Sequence, residues 1–91
     1  MLALPPVLTH DVAAGFAKGL KAAVSTEPAE VVADAGALRE FDSSALAVLL
    51  DCRREAVAAG KAFTVRGLPP RLRQLAGLYG VAELIPATTT A

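Results

Sequence analysis

Phe41-Asp42-Ser43-Ser44-Ala45-Leu46-Ala47-Val48-Leu49-Leu50 is the stretch on which the reading of this chain turns. Asp and Ser side chains accept hydrogen bonds from the free backbone N–H groups that open a helix. An unbroken apolar run follows them. The spacing predicts a helix that starts at Asp42-Ser43-Ser44 and runs from Ala45 to Ala59, with Leu46, Leu49, Leu50 and Val57 on one side. Gly60 suits the left-handed position just past a helix end.

Toward the C-terminus, Lys61-Ala62-Phe63-Thr64-Val65-Arg66 alternates, puts Phe63 and Val65 on one face, and reads as a strand. Gly67-Leu68-Pro69-Pro70 turns the chain, and Pro70 suits the first position of another helix. Leu72, Leu75, Ala76 and Tyr79 recur at i, i+3, i+4, i+7, the stripe that such a helix buries. Gly80 ends it, and Val81 to Ile85 is a last short apolar segment, a half-turn or an edge strand. Toward the N-terminus, Glu30-Val31-Val32-Ala33-Asp34 reads as a β-branched strand, preceded by a loop at Ser25 to Pro28. Thr9 sits at a helix N-cap with Asp11 in the first turn. Val12, Phe16 and Leu20 form one stripe of that helix, which Gly15 and Gly19 weaken. Leu2 to Leu4 is a short strand closed by Pro5-Pro6.

The order β-α-β-α-β-α implies parallel strands joined by right-handed crossovers. The expected fold is α/β: a small mixed or parallel sheet of about four strands covered by three to four helices. Ninety-one residues make one domain, 1–91. The tail Ala87-Thr88-Thr89-Thr90-Ala91 is expected to fray. An apolar share of 54% places the chain far from disorder. Nine basic residues balance nine acidic ones, which argues against a nucleic-acid binder working by bulk electrostatics. The first six residues lack a signal-peptide pattern, and no apolar run is long enough to span a bilayer. Contact with a membrane is expected only through a partner.

Few residues carry chemistry. His10 is the sole histidine, and a catalytic reading needs it to meet Ser43 or Ser44 and a carboxylate, without a nucleophile-elbow spacing to support that. No paired-ligand spacing or glycine-rich phosphate loop is present, so no metal, cofactor or catalytic residue is expected. Cys52, the single cysteine, lies inside a helical segment and reads as a packed side chain. Ser43 differs. A hydroxyl at a helix N-terminus sits in positive potential, so a phosphate there is tolerated, and its charge would alter a docking surface.

Leu8-Thr9, the Asp42 to Leu50 stretch, Gly60-Lys61, Val65-Arg66-Gly67-Leu68-Pro69-Pro70 and Leu75-Ala76-Gly77-Leu78-Tyr79-Gly80-Val81 follow one another in an order and spacing that resembles the STAS domain (sulphate transporter and anti-sigma factor antagonist). The resemblance runs from about Leu4 to Ile85. Within that family, the ending through Leu84-Ile85-Pro86 looks most like the small cytoplasmic subunit of the Mla phospholipid-transport ABC complex. That resemblance implies a non-enzymatic subunit docked on an ABC-type ATPase, which it stabilises and activates. It also implies a cytoplasmic protein that reaches the inner membrane through its complex. The alternative it implies is an anti-sigma factor antagonist, in which an anti-sigma factor with serine kinase activity phosphorylates Ser43.

The family's Asp-Ser or Asp-Thr pair falls on Asp42 and Ser43, which makes Ser43 the phosphosite or docking residue. Thr9, Asp42, Ser43, Ser44, Ala45 and Val48 are the expected partner-binding residues. Ala45, Ala47 and Val48 would supply contact area, and Arg53, Arg54 and Arg71 a polar rim. Ala45 departs from the glycine common at its position. A first strand shorter than the family's leaves a sheet edge open, so a partner or a second copy, as a homodimer, is expected to cover it.

Overall fold

Burial alternates along β3 (Glu30–Asp34) and β5 (Ala62–Arg66), and that alternation organises the molecule. Val31 and Ala33 of β3 are paired in parallel register with Phe63 and Val65 of β5, so four buried side chains share one face. Val32 and Thr64 point the other way and are half-buried. A two-residue strand, β1 (Leu2–Ala3), joins the opposite side of β3 with Leu2 facing Ala33. The sheet order is therefore β1-β3-β5, all parallel. The computed structural model describes residues 1–86; the tail at 87–91 lies outside the described residues.

A second parallel pair, which the sequence reading did not foresee, joins β2 (Val7–Leu8) to β4 (Glu40–Phe41). The Arg39 and Glu40 amides both donate to the Pro6 carbonyl oxygen beside it. Among the described residues, the expected small mixed or parallel sheet of about four strands is present as five short strands in two parallel sheets. Four α-helices accompany them among the described residues: α1 (His10–Ala17), α2 (Leu20–Ser25), α3 (Ser44–Ala58) and α4 (Pro70–Leu78). The segment Val81 to Ile85 forms a 3-10 turn at Ala82–Leu84, and the Val65 amide donates to the Pro86 carbonyl oxygen 2.8 Å away. The chain's own last described residue therefore lies along the outer side of β5.

The helix expected from Thr9 onward is two helices, broken at Lys18-Gly19. The break re-phases the buried stripe: Ala13, Leu20 and Val24 are buried, whereas Val12 is exposed. Helix α3 is as expected in extent, but its buried side is Ala45, Leu46, Val48, Leu49, Cys52 and Ala56, with Val57 exposed. Pro70 opens α4 as expected, yet Tyr79 lies at the C-cap of α4 and is exposed rather than packed. Both α3 and α4 end alike. Gly60 and Gly80 take φ of +73° and +72°. Lys61 and Val81 then donate back to the carbonyls of Ala56 and Ala76, and the glycine amides to those of Val57 and Gly77. These are Schellman closures, and the left-handed residue in each is glycine because a Cβ there is strained.

Candidate functional site

Because β2 and β4 run parallel and side by side, their ends deliver α1 and α3 to the same place. Asp42, the residue after β4, joins the two helix starts. One carboxylate oxygen, Oδ1, accepts the Ser44 amide at 2.8 Å, and Oδ2 accepts the His10 amide at 3.1 Å. A single side chain thus caps two helices, each of which presents the positive end of its dipole. The Ser44 amide first, and the His10 amide second, hold the Asp42 carboxyl below its ordinary range.

This geometry changes the roles read from the sequence. Thr9 stands at the N-cap of α1, but its side chain makes no capping bond; its carbonyl accepts the Val12 and Ala13 amides. Ser43 occupies the N-cap of α3 with helical backbone (φ −62°, ψ −16°), and its hydroxyl makes no capping bond either. Asp42 does the capping for both, and Ser43 is left exposed at the tip. Ser44 is half-buried beside it. Ala45 and Val48 are 0% and 2% exposed, so they hold α3 to the core and cannot supply the broad contact area expected of them. Ala47, on the opposite side of the helix, is the exposed residue of that turn. Among the described residues, none other than glycine has positive φ, so Ala45 sits in the helix without strain.

The structure brings together more than the sequence grouped. His10, Ala13, Ala14 and Ala17 of α1 face Ser44, Ala47, Val48 and Asp51 of α3 across a shallow groove of about 220 Å³ that opens beside the tip. Small side chains let the two helices approach and leave this trough between them. His10 and Ser44 share the groove, but Asp42 holds the His10 amide, not its imidazole. Cys52 is fully buried, and burial first, with Glu27 second, pushes its thiol up to about 11. It stays protonated and inaccessible at neutral pH. Among the described residues, no group of three or more His, Cys, Asp or Glu side chains is placed to hold a metal ion. Arg54 is paired with Asp51 at 3.0 Å on the exposed face of α3, a contact of little energetic weight. Arg71 lies with its guanidinium 5.9 Å from the Phe41 ring centroid, directly behind the tip.

Residues 1–86 match the family model described as the MlaB STAS domain. The chain belongs to the MlaB-like STAS domain family. Among solved structures, this STAS domain is similar to a candidate anti-sigma factor antagonist from Thermotoga maritima. The two superpose with a TM-score of 0.78 over 96% of this chain and 76% of that one, at 15% identity. At that identity the likeness establishes the fold. No curated protein matches the chain. Family membership gives this STAS domain a regulatory, protein-binding role. Among the described residues, no helix is long and apolar enough to cross a membrane. The α1–α3 groove is the feature that sequence reasoning missed. Its one local signal is the run of alanines at 13, 14, 17 and 47, which reads equally well as ordinary helix surface.

Proposed function

We propose that this STAS domain is a non-enzymatic accessory subunit that docks, through the Asp42–Ser43 tip, on the ATPase of a phospholipid-transport ABC complex. One observation carries the reading: Ser43 is exposed and relieved of capping, while Asp42 beside it is locked to two helices. A contact point held this way loses little conformational freedom on binding. Thr9 and Ser44 flank it, Ala47 and the α1–α3 groove extend it, and Asp42 acts by holding its shape. The docked protein would work in the cytoplasm and reach the inner membrane through the complex. The homodimer expected through the outer edge of β1 belongs to the same proposal, as the state of the subunit before it meets its ATPase.

Affinity capture of the tagged chain from its native cell tests the assignment. Recovery of an ABC ATPase supports it. Recovery of a serine kinase that transfers phosphate to Ser43 and then releases the chain would replace it with the anti-sigma factor antagonist reading. Solution mass with hydrogen exchange checks the dimer. A monomer at high concentration, with β1 amides exchanging no faster than those of β3, would refute that part.

A further inference from the structure

Parallel sheets are ordinarily covered on both faces, yet the sheet β1-β3-β5 has its core on one. Val31, Ala33, Phe63 and Val65 pack with α3 in that core, and Val32 stands outside it. Alternation turns the other residues of β3 and β5 to the opposite face. Register pairs them there across the two strands: Glu30 with Ala62, Val32 with Thr64, and Asp34 with Arg66. Glu30, Ala62 and Arg66 are exposed, and Val32, Asp34 and Thr64 are half-buried.

The fold itself places an acid and a base at one end of this face. Asp34 and Arg66 are neighbours in register at the C-terminal ends of their strands. The Gly36 amide donates to Asp34 Oδ1 at 2.9 Å, which fixes that carboxylate. Among the described residues, neither Asp34 nor Arg66 has an ion-pair partner. The small pair Val32 and Thr64 forms the centre of the face, one turn of the pleat away. A surface with acid and base side by side beside a small centre is complementary to itself.

We infer that this open sheet face is a docking surface for a second copy of the chain, separate from the Ser43 tip. A two-fold axis along the strand direction, between β3 and β5, lays β3 of each copy over β5 of the other. Asp34 of each copy then meets Arg66 of the other, and Val32 meets Thr64, so every contact is made twice. Sheets stacked about 10 Å apart bring such an acid and base within reach of each other. Glu30 falls over the small Ala62, at the solvent rim. The occupant follows from the register: acid and base lie one strand apart, and the two-fold operation exchanges those two strands. Three short strands offer well under the ~800 Å² per partner of a stable complex, so the dimer is weak and forms at high chain concentration. It uses side chains of the sheet face, whereas pairing through the edge of β1 uses main-chain groups.

Sedimentation equilibrium of the full chain over a range of concentrations tests this. Self-association is expected, weakened by salt. Arg66→Glu sets like charges opposite each other, and Thr64→Arg puts a bulky charge at the centre; each is expected to raise the dissociation constant about tenfold or more. Asp34→Arg is expected to do the same. An equal mixture of the Asp34→Arg and Arg66→Glu chains then recovers association, because acid and base again face each other across the axis. Melting at the wild-type temperature shows that the variants are folded. If Asp34→Arg is not, through loss of its bond to Gly36, then Arg66→Glu and Thr64→Arg decide the matter. A monomer at every concentration, self-association that Arg66→Glu and Thr64→Arg leave unchanged, as a β1 edge contact would give, or a mixture of folded variants that fails to associate would each overturn the inference.

Discussion

Leu49 and Val57 are aliphatic residues of one helix, eight positions apart, and the fold gives them opposite fates. Leu49 is 0% exposed, at the centre of the core beneath the sheet, whereas Val57 is 57% exposed near the end of α3. Truncating Leu49 to alanine removes three buried carbons and leaves a cavity in tightly packed surroundings, at a cost of about 2–5 kcal/mol. A domain of this size has on the order of 5–14 kcal/mol in total, so the variant loses a large share of its stability. At about 4–8 °C per kcal/mol, a loss of ~3 kcal/mol lowers the melting temperature by roughly 12–24 °C. Val57→Ala leaves no cavity and gains helix propensity, so its change stays within about 0.5 kcal/mol. Thermal and urea unfolding, followed by far-UV circular dichroism, measure both variants. Similar losses for the two, or a Leu49→Ala chain that melts with the wild type, would refute the placement of α3 on the sheet.

Two further outcomes follow from the site. The folded state depresses the Asp42 pKa below 3.8, so its contribution to stability is fully present above that value and disappears as pH falls through the lowered one. Asp42→Asn should therefore flatten the acid limb of a stability–pH curve while leaving the dependence between pH 5 and 8 as in wild type; coincident acid limbs would contradict the double cap. Cys52, buried and with its thiol pushed up to about 11, should resist a thiol reagent at pH 8 in the native chain and react fully in denaturant, with rapid native labelling as the contrary result.

Elements that complete at least one full period of their own are the ones the sequence made legible. β3 and β5 alternate over five residues each, and α3 and α4 have start and stop residues, Asp42 to Gly60 and Pro70 to Gly80. The pair β2–β4 escaped because two-residue strands contain no period to read, and neither has a mark like the Pro5-Pro6 that closes the equally short β1. The break at Gly19 was visible as a weakness, but whether a glycine bends a helix or ends it depends on what the next turn packs against. The site was legible in its residues and not in their division of labour. Asp42 and Ser43 form a helix-start signal together, and either could have been the cap. What decides between them is the His10 amide, 32 residues upstream, which only the folded chain brings to Asp42. Burial of Ala45 and Val48, against exposure of Ala47, follows from how α3 lies on its neighbours, a rotation that alanine-rich sequence leaves open.

The proposed docking role rests on the exposed serine at the start of α3. Calorimetric titration of the ATPase subunit with the wild-type chain and with Ser43→Asp tests it most directly. An affinity loss of about tenfold or more, ~1.4 kcal/mol, is expected in a variant that melts at the wild-type temperature because the new side chain stands in solvent beside an intact Asp42 cap. Equal affinity of the two chains for the ATPase would contradict it.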